Sequence, residues 1–168
     1  MANCPQTLSG IILDCTTSQG GIKKVWIADW GTVKVTKTGD KISAIDKIDA
    51  FKPYEFRRGT SSMNSTLTAD ETTGVNYVTT ELSLVFTKME TSKRIEMAAL
   101  SVGQLAVIVL DSNGIYHYVG DEDYVSASAG GAETGTAKGD RNAYTITLKT
   151  ESSTYPYEIE ASVVESLA

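Results

Sequence analysis

Hydrophobic and polar residues alternate along most of this chain with a period of two, which is the pattern of strands that bury one face. In the segment 23–30 the two faces carry Val25 and Ile27 on one side, and Trp26, Ala28 and Trp30 on the other. The Gly39-Asp40 pair that follows supplies the backbone freedom of a tight hairpin. These alternations predict a β-meander in the first third of the chain.

A longer pair of strands follows, joined around the turn residues Asp70 and Gly74. The second strand of this pair places Leu82, Leu84 and Phe86 on one face. The opposite, polar positions are Ser62, Asn64 and Thr66 in the first strand, and Glu81, Ser83 and Thr87 in the second. We therefore expect a hairpin that covers a core on one side and meets water on the other.

Only one segment has helical spacing. Thr91 or Ser92 is the predicted N-cap, and Gly103 is the predicted stop. The apolar stripe between them consists of Ile95, Ala98, Ala99 and Val102. This pattern predicts a helix of about three turns whose alanines allow close packing against a sheet.

The strand 104–110 is apolar on both faces and is predicted to lie centrally, while Asn113-Gly114 favours a hairpin after it. With two further alternating segments near the C-terminus, the chain predicts roughly eight to ten strands. The expected fold class is all-β, a β-sandwich or partly closed barrel, with one short α-helix. Residues 1–168 form one expected domain, with an N-terminal arm over 1–22 and a flexible Gly/Ala-rich loop over 120–141.

Composition and charge narrow the function classes. A chain of 168 residues with 41% hydrophobic residues is long enough for a real core. Its net charge of -6 argues against a surface that grips nucleic acid through counterion release. The N-terminus has no export pattern and no stretch is apolar enough to cross a bilayer, so we expect a chain that stays in the cell that makes it and binds no membrane. The lack of an export signal also favours free thiols at Cys4 and Cys15 over a short-range disulfide.

The glycine-rich stretch 129–135 raises the question of phosphate binding. Gly130 and Gly135 have the spacing of a P-loop, but Thr136 stands where the lysine is needed and a strand follows in place of a helix. A nucleotide site is therefore not expected.

Other chemistry has little support in the sequence. His117 is the single histidine and alternates with tyrosines in a strand, while Asp121, Glu122 and Asp123 match no calcium loop. We expect no enzymatic activity, no catalytic residues, no cofactor and no metal.

Trp26 and Trp30 allow three interpretations. They pack in the core, stack on a sugar ring as in a carbohydrate-binding module, or contact a neighbouring subunit. The third interpretation fits a general feature of this sequence, because exposed strand edges without reactive clusters are typical of a repeated structural subunit whose edges pair with identical copies. Long hairpins with a small, polar face suit sheets that close into a ring with that face toward a lumen.

Four motifs in order carry a family resemblance. They are the E-L-x-L-x-F strand at Glu81 to Phe86, the basic helix at Lys93 to Leu100, the hairpin at Leu105 to Gly114 and the "TGTAKGDRNAYTITL" segment at Thr134 to Leu148. The last two thirds of the chain thereby resemble the tail tube, or major tail, proteins of tailed bacteriophages, particularly those that infect Bacteroidetes. The N-terminal third departs most from that pattern.

The resemblance implies a structural virion protein, made in the host cytoplasm and located in the phage tail. Homohexameric rings, in contact with other tail proteins, would stack into a hollow tube through which DNA passes during ejection without specific binding. The candidate lumen-facing residues are Ser62, Asn64, Thr66, Glu81 and Ser83, and the candidate inter-subunit residues are Trp26, Trp30, Gly130, Gly131 and Gly135. The alternatives are another virion component, such as a head decoration, connector or fibre protein, and the carbohydrate-binding module.

Overall fold

The computed structural model describes residues 7–167, in which eleven strands form two sheets and helices are short. The strands are β1 (Ile22–Asp29), β2 (Lys34–Thr38), β3 (Lys41–Asp46), β4 (Lys52–Tyr54), β5 (Ser62–Asp70), β6 (Val75–Thr87), β7 (Leu105–Asp111), β8 (Tyr116–Val119), β9 (Ser126–Glu133), β10 (Ala143–Ser152) and β11 (Tyr157–Ile159). The helices are α1 (Thr91–Val102) and α2 (Ala161–Val164), with 3-10 turns at Trp30–Thr32, Ile48–Ala50 and Glu165–Leu167. The predicted all-β fold class is confirmed.

The two sheets have seven and four strands. The larger sheet has the order β2-β3-β11-β8-β7-β1-β4, and the smaller has the order β5-β6-β10-β9. The predicted N-terminal meander is wrong, because β1 pairs with β7 and β4 while β2 and β3 form a hairpin at the far edge. The 3-10 turn at Trp30–Thr32, which Asp29 caps by accepting from the Gly31 N–H at 3.0 Å, separates β1 from β2.

The central strands β1 and β7 of the seven-stranded sheet are buried on both faces. One face packs against the four-stranded sheet, where Val25 and Val107 meet Leu82 and Leu148 in a single cluster. The other face forms a second cluster under the C-terminal segment, whose members include Trp26, Ala28, Ile42, Phe51, Ala106, Ile108, Tyr118 and Val164. The prediction of a central strand at β7 is confirmed, since its residues alternate between the two clusters.

Helix α1 forms where predicted and ends at Gly103, but its N-cap is Glu90 and its buried face differs from the prediction. Leu100 is the buried residue and Met97 packs against the core, whereas Ile95 is 55% and Val102 is 86% exposed. The physical reason is size, because a leucine removes more apolar area from water than the alanines of the predicted stripe. An apolar face of α1 is thus left toward solvent.

The predicted loop over 120–141 is wrong in its middle. Ser126–Glu133 form β9, which pairs with β10 in register from Lys149↔Ser126 to Ala143↔Glu133, with one shift beside Thr147. Small side chains give this strand no hydrophobic alternation, so its pairing with β10 is what defines it.

Candidate functional site

The outward face of the four-stranded sheet is polar over most of its length. Directly paired residues share a face, and the register pairs Ser62 with Ser83 and Asn64 with Glu81. Thr66 lies on the same face, and all these residues except half-buried Ser62 are exposed. The five candidate lumen residues therefore share one face of the sheet, while their orientation toward a lumen stays a prediction.

Strand β10 extends this polar face. Thr147 pairs with Ser83, and Lys149 pairs with Glu81. The Lys149 ammonium also lies 3.8 Å from the Glu151 carboxylate, so one ammonium lies among two carboxylates and this part of the face is acidic. The alternation of side chains within β10 can be predicted from the sequence. The pairing of Lys149 with Glu81 cannot, because it depends on the register between β10 and β6, which no local pattern specifies.

The edges of the two sheets differ in their protection. The seven-stranded sheet ends in β2, which carries Lys34 and Lys37, and in the three-residue strand β4, which contains Lys52 and Pro53. Lysines, proline and shortness are features that prevent edge-to-edge pairing. The edges of the four-stranded sheet, β5 and β9, have nine and eight residues and no lysine or proline. The four-stranded sheet is therefore the one suited to pairing with another chain.

The glycines of the candidate inter-subunit set have distinct local roles. A Cβ on Gly130 would lie 3.1 Å from the Thr145 carbonyl oxygen, so glycine permits close approach of β9 to β10. Gly131 is less constrained, with Thr145 Oγ1 at 3.5 Å. Gly135 has a φ of +68° in the following turn, where Asp140 accepts from the N–H groups of Thr136 and Ala137. Gly130 and Gly131 thus lie on an open edge strand, and Gly135 shapes its end.

The two tryptophans do not form a surface platform. Trp26 is 3% exposed, and its ring lies 5.8 Å from that of Tyr116 in the second cluster. Trp30 is half-buried, and its Nε1 donates to the Gly120 carbonyl at 2.8 Å. The assignment of Trp26 to a subunit contact is therefore corrected, because the C-terminal segment covers the face of β1 that carries it. Core packing accounts for Trp26.

The candidate catalytic and metal-ligating residues also have structural partners. His117 Nε2 lies 3.0 Å from Asp111 Oδ2, and Asp111 Oδ1 accepts from the N–H groups of Asn113 and Ile115 at the β7–β8 turn. Asp121 pairs with Lys37, whose ammonium also lies 4.2 Å from the Tyr157 ring centroid. The hydrogen bond to Asp121 raises the pKa of Lys37. Within residues 7–167 no three His, Cys, Asp or Glu side chains are grouped to hold a metal ion.

The N-terminal segment has a fixed base and an exposed remainder. Gln19 N–H donates to Asn113 Oδ1 at 2.8 Å, and Gly21 O accepts from Ser112 N–H at 3.1 Å. Residues 7–20 have no helix or strand and are exposed, including Cys15. Cys4, the other predicted thiol, lies outside the described residues.

No protein-family model matches the sequence, and comparison with curated proteins and with solved structures gives no match. Among the helices within residues 7–167, none combines the length and apolar character needed to cross a bilayer. The fold and surface described above define the chain as an all-β protein of two stacked sheets with short helices.

Proposed function

We propose that this chain is the subunit of a bacteriophage tail tube, in which four-stranded sheets of neighbouring copies join edge to edge into a ring and rings stack into a hollow conduit. The observation that supports the proposal most directly is the unequal protection of the two sheets. Lysines, proline and short strands protect the edges of the seven-stranded sheet, whereas the edge strands β5 and β9 of the smaller sheet are long and have none of these features.

Pairing of β9 with β5 of the next copy continues the existing ladder. Strands β5, β6, β10 and β9 are each antiparallel to their neighbour, so β5 and β9 run in opposite directions within one copy. A rotation about a ring axis therefore brings β9 beside an antiparallel β5. The two strands have nearly equal length, and each new backbone hydrogen bond contributes about 0.5–1.5 kcal/mol net.

In such a ring the outward polar face of the four-stranded sheet lines the lumen. Duplex DNA carries one negative charge per roughly 1.7 Å of its axis, so a basic wall would hold it by counterion release. The Ser, Thr and Asn side chains of this face, with the Glu81 and Glu151 carboxylates outnumbering the Lys149 ammonium, give a polar, acidic wall along which DNA slides. The hexameric number follows from the resemblance of the sequence to tail tube proteins.

Negative-stain electron microscopy of the concentrated full chain tests the proposal. We expect hollow tubes, and we expect Gly131→Lys in β9 to abolish them, because it places a lysine on the open edge where a Cβ has room. Thr36→Lys in β2 is the matched control on an edge that already carries lysines. The proposal is contradicted if the wild-type chain forms no tubes at any concentration. It is also contradicted if Gly131→Lys forms tubes as abundant and as long as those of Thr36→Lys.

The same images separate the alternatives. Rings that never stack favour a connector, and isolated oligomers without a lumen favour a head decoration or fibre protein.

A further inference from the structure

We infer that residues Leu8–Leu13 of one copy dock into the groove between α1 and β9 of a second copy. This inference rests on the self-association proposed above, although it does not require that the assembly be a tube.

The donor segment is apolar and projects from the body of the molecule. Leu8, Ile11, Ile12 and Leu13 are 90%, 99%, 93% and 96% exposed, the highest values among the large hydrophobic residues of the described chain. Residues 7–13 contain no charged side chain. Four aliphatic side chains in water within six residues are unfavourable unless another surface covers them.

The acceptor is a groove of about 560 Å³ along one side of β9. Its lining contains no charged side chain and consists of Met97, Ala98 and Ser101 of α1, residues 127–132 of β9, and Tyr144, Thr145 and Ile146 of β10. The small side chains of β9 leave the space open. Helix α1 also leaves Ile95 and Val102 exposed, because the core does not use them.

Complementarity of the two surfaces favours a second copy as the source of the segment. A chain with net charge -6 repels its copies, and both the segment 7–13 and the groove are uncharged parts of it. Docking removes the four aliphatic side chains from water, and edge pairing of β9 with a neighbouring copy would bury further surface at the same interface.

The base of the segment and the groove lie toward opposite ends of β7, so a segment reaches the groove of its own chain only when residues 13–19 are extended. The base is held at Ser112 and Asn113, beyond one end of β7, whereas α1 joins the other end of β7 at Leu105. Seven residues of strand separate these ends by about 20 Å. One segment and one groove per copy allow a heterologous contact, which repeats from copy to copy and either closes into a ring or continues as an open filament, according to the rotation between copies.

Site-directed disulfide formation tests the docking. In full-length chains with Cys4→Ser and Cys15→Ser, one tagged variant carries Ile12→Cys and an untagged variant carries Ala98→Cys. After mixing and mild oxidation we expect a disulfide-linked pair of one tagged and one untagged chain. Thr17→Cys, in the polar part of the same segment, replaces Ile12→Cys in the control. The inference is overturned if the Ile12→Cys chain forms no more disulfide-linked pairs than the Thr17→Cys chain.

The double variant Ile12→Cys with Ala98→Cys in one chain distinguishes the origin of the segment. A linked monomer of faster electrophoretic migration means that each chain fills its own groove, which overturns docking between copies. We expect linked multimers.

A charge variant gives a second, independent measurement. We expect the double variant Ile11→Asp with Leu13→Asp to raise the concentration of half-assembly, measured by sedimentation velocity, at least tenfold. The control Thr17→Asp should leave that concentration within twofold of wild type. The inference is overturned if the double variant and the control assemble at equal concentrations. Tubes without the Ile12–Ala98 linkage refute the docking and leave the tube intact. Linkage without tubes supports the docking and refutes the tube.

Discussion

Glu81 lies directly opposite Lys149 in the β6–β10 ladder, on the outward face of the four-stranded sheet. The same glutamate lies opposite Asn64 in the β5–β6 ladder, so one carboxylate lies between an ammonium and an amide on neighbouring strands. This arrangement places one carboxylate beside one ammonium on the polar face, and a lysine at position 81 would leave two ammonium groups there.

We predict that Glu81→Lys converts the polar face into one that retains DNA. Paired lysines at 81 and 149 repel each other, which costs about 0.2–1 kcal/mol of folding stability and leaves the fold intact. Assembled particles of this variant should co-sediment with short duplex DNA at low salt and release it as salt rises. Asp46→Lys, the same charge change on β3 of the other sheet, is the control; equal retention by both variants contradicts a role for this face.

Leu148→Ala tests the core between the sheets. Leu148 is 0% exposed and belongs to the cluster that joins the two sheets, so the truncation leaves a cavity. We expect the free energy of unfolding to fall by about 2–5 kcal/mol in urea titrations. Lys149→Ala, one residue further and on the opposite face, should change it by less than about 1 kcal/mol. A small effect of Leu148→Ala would place this residue outside a close-packed core.

The neighbouring glycines of β9 form a matched pair. An alanine at 130 brings its Cβ to 3.1 Å from the Thr145 carbonyl oxygen, whereas an alanine at 131 meets an ordinary contact at 3.5 Å. Gly131→Ala should be neutral or stabilise by up to about 1 kcal/mol through the unfolded state, and Gly130→Ala should be less stable than it by about 1 kcal/mol. Thermal unfolding of both variants measures the difference, and the reverse order would contradict the β9–β10 packing.

Trp26→Ala separates core packing from glycan recognition. The ring is 3% exposed, so its loss should destabilise the chain by about 3–5 kcal/mol. The wild-type chain should bind no glycan on an array, since the indole faces are covered. Glycan binding by the wild type that disappears in a folded Trp26→Phe variant would restore the carbohydrate-binding alternative.

Asp111 predicts a pH dependence of stability. Partial burial alone raises its pKa, but the hydrogen bonds from His117 and from the Ile115 and Asn113 N–H groups outweigh it and hold the pKa below the ordinary value of 3.8. A carboxylate with a lowered folded-state pKa stabilises the fold above its unfolded pKa, and that contribution is lost as pH falls through the folded pKa.

Asp111→Asn should therefore reduce the free energy of unfolding by about 1 kcal/mol at pH 6. The difference from wild type should shrink as pH falls below 3.8. Urea titrations between pH 6 and pH 2.5 measure it, with Asp46→Asn as an exposed control. A difference that does not change with pH would mean that the Asp111 charge contributes nothing.

Local signals predicted the parts of the fold that local physics determines. The β5–β6 hairpin, strand β7 and the Asn113-Gly114 turn follow from alternation and from positive φ at Gly114. Long-range contacts decided the rest. Trp26 is buried because Val164, far along the chain, helps to build a second core over it. Strand β9 depends on β10, and α1 turns Leu100 inward because the core accepts the larger side chain.

The lysines and proline on the edges of the seven-stranded sheet have a consequence for the shape of any polymer. Backbone pairing at those edges is disfavoured, so in the proposed ring the copies join sheet to sheet through β5 and β9 alone. Sheet-to-sheet growth of that assembly would then run around one ring, and contacts between rings would come from loops and segments outside the two sheets.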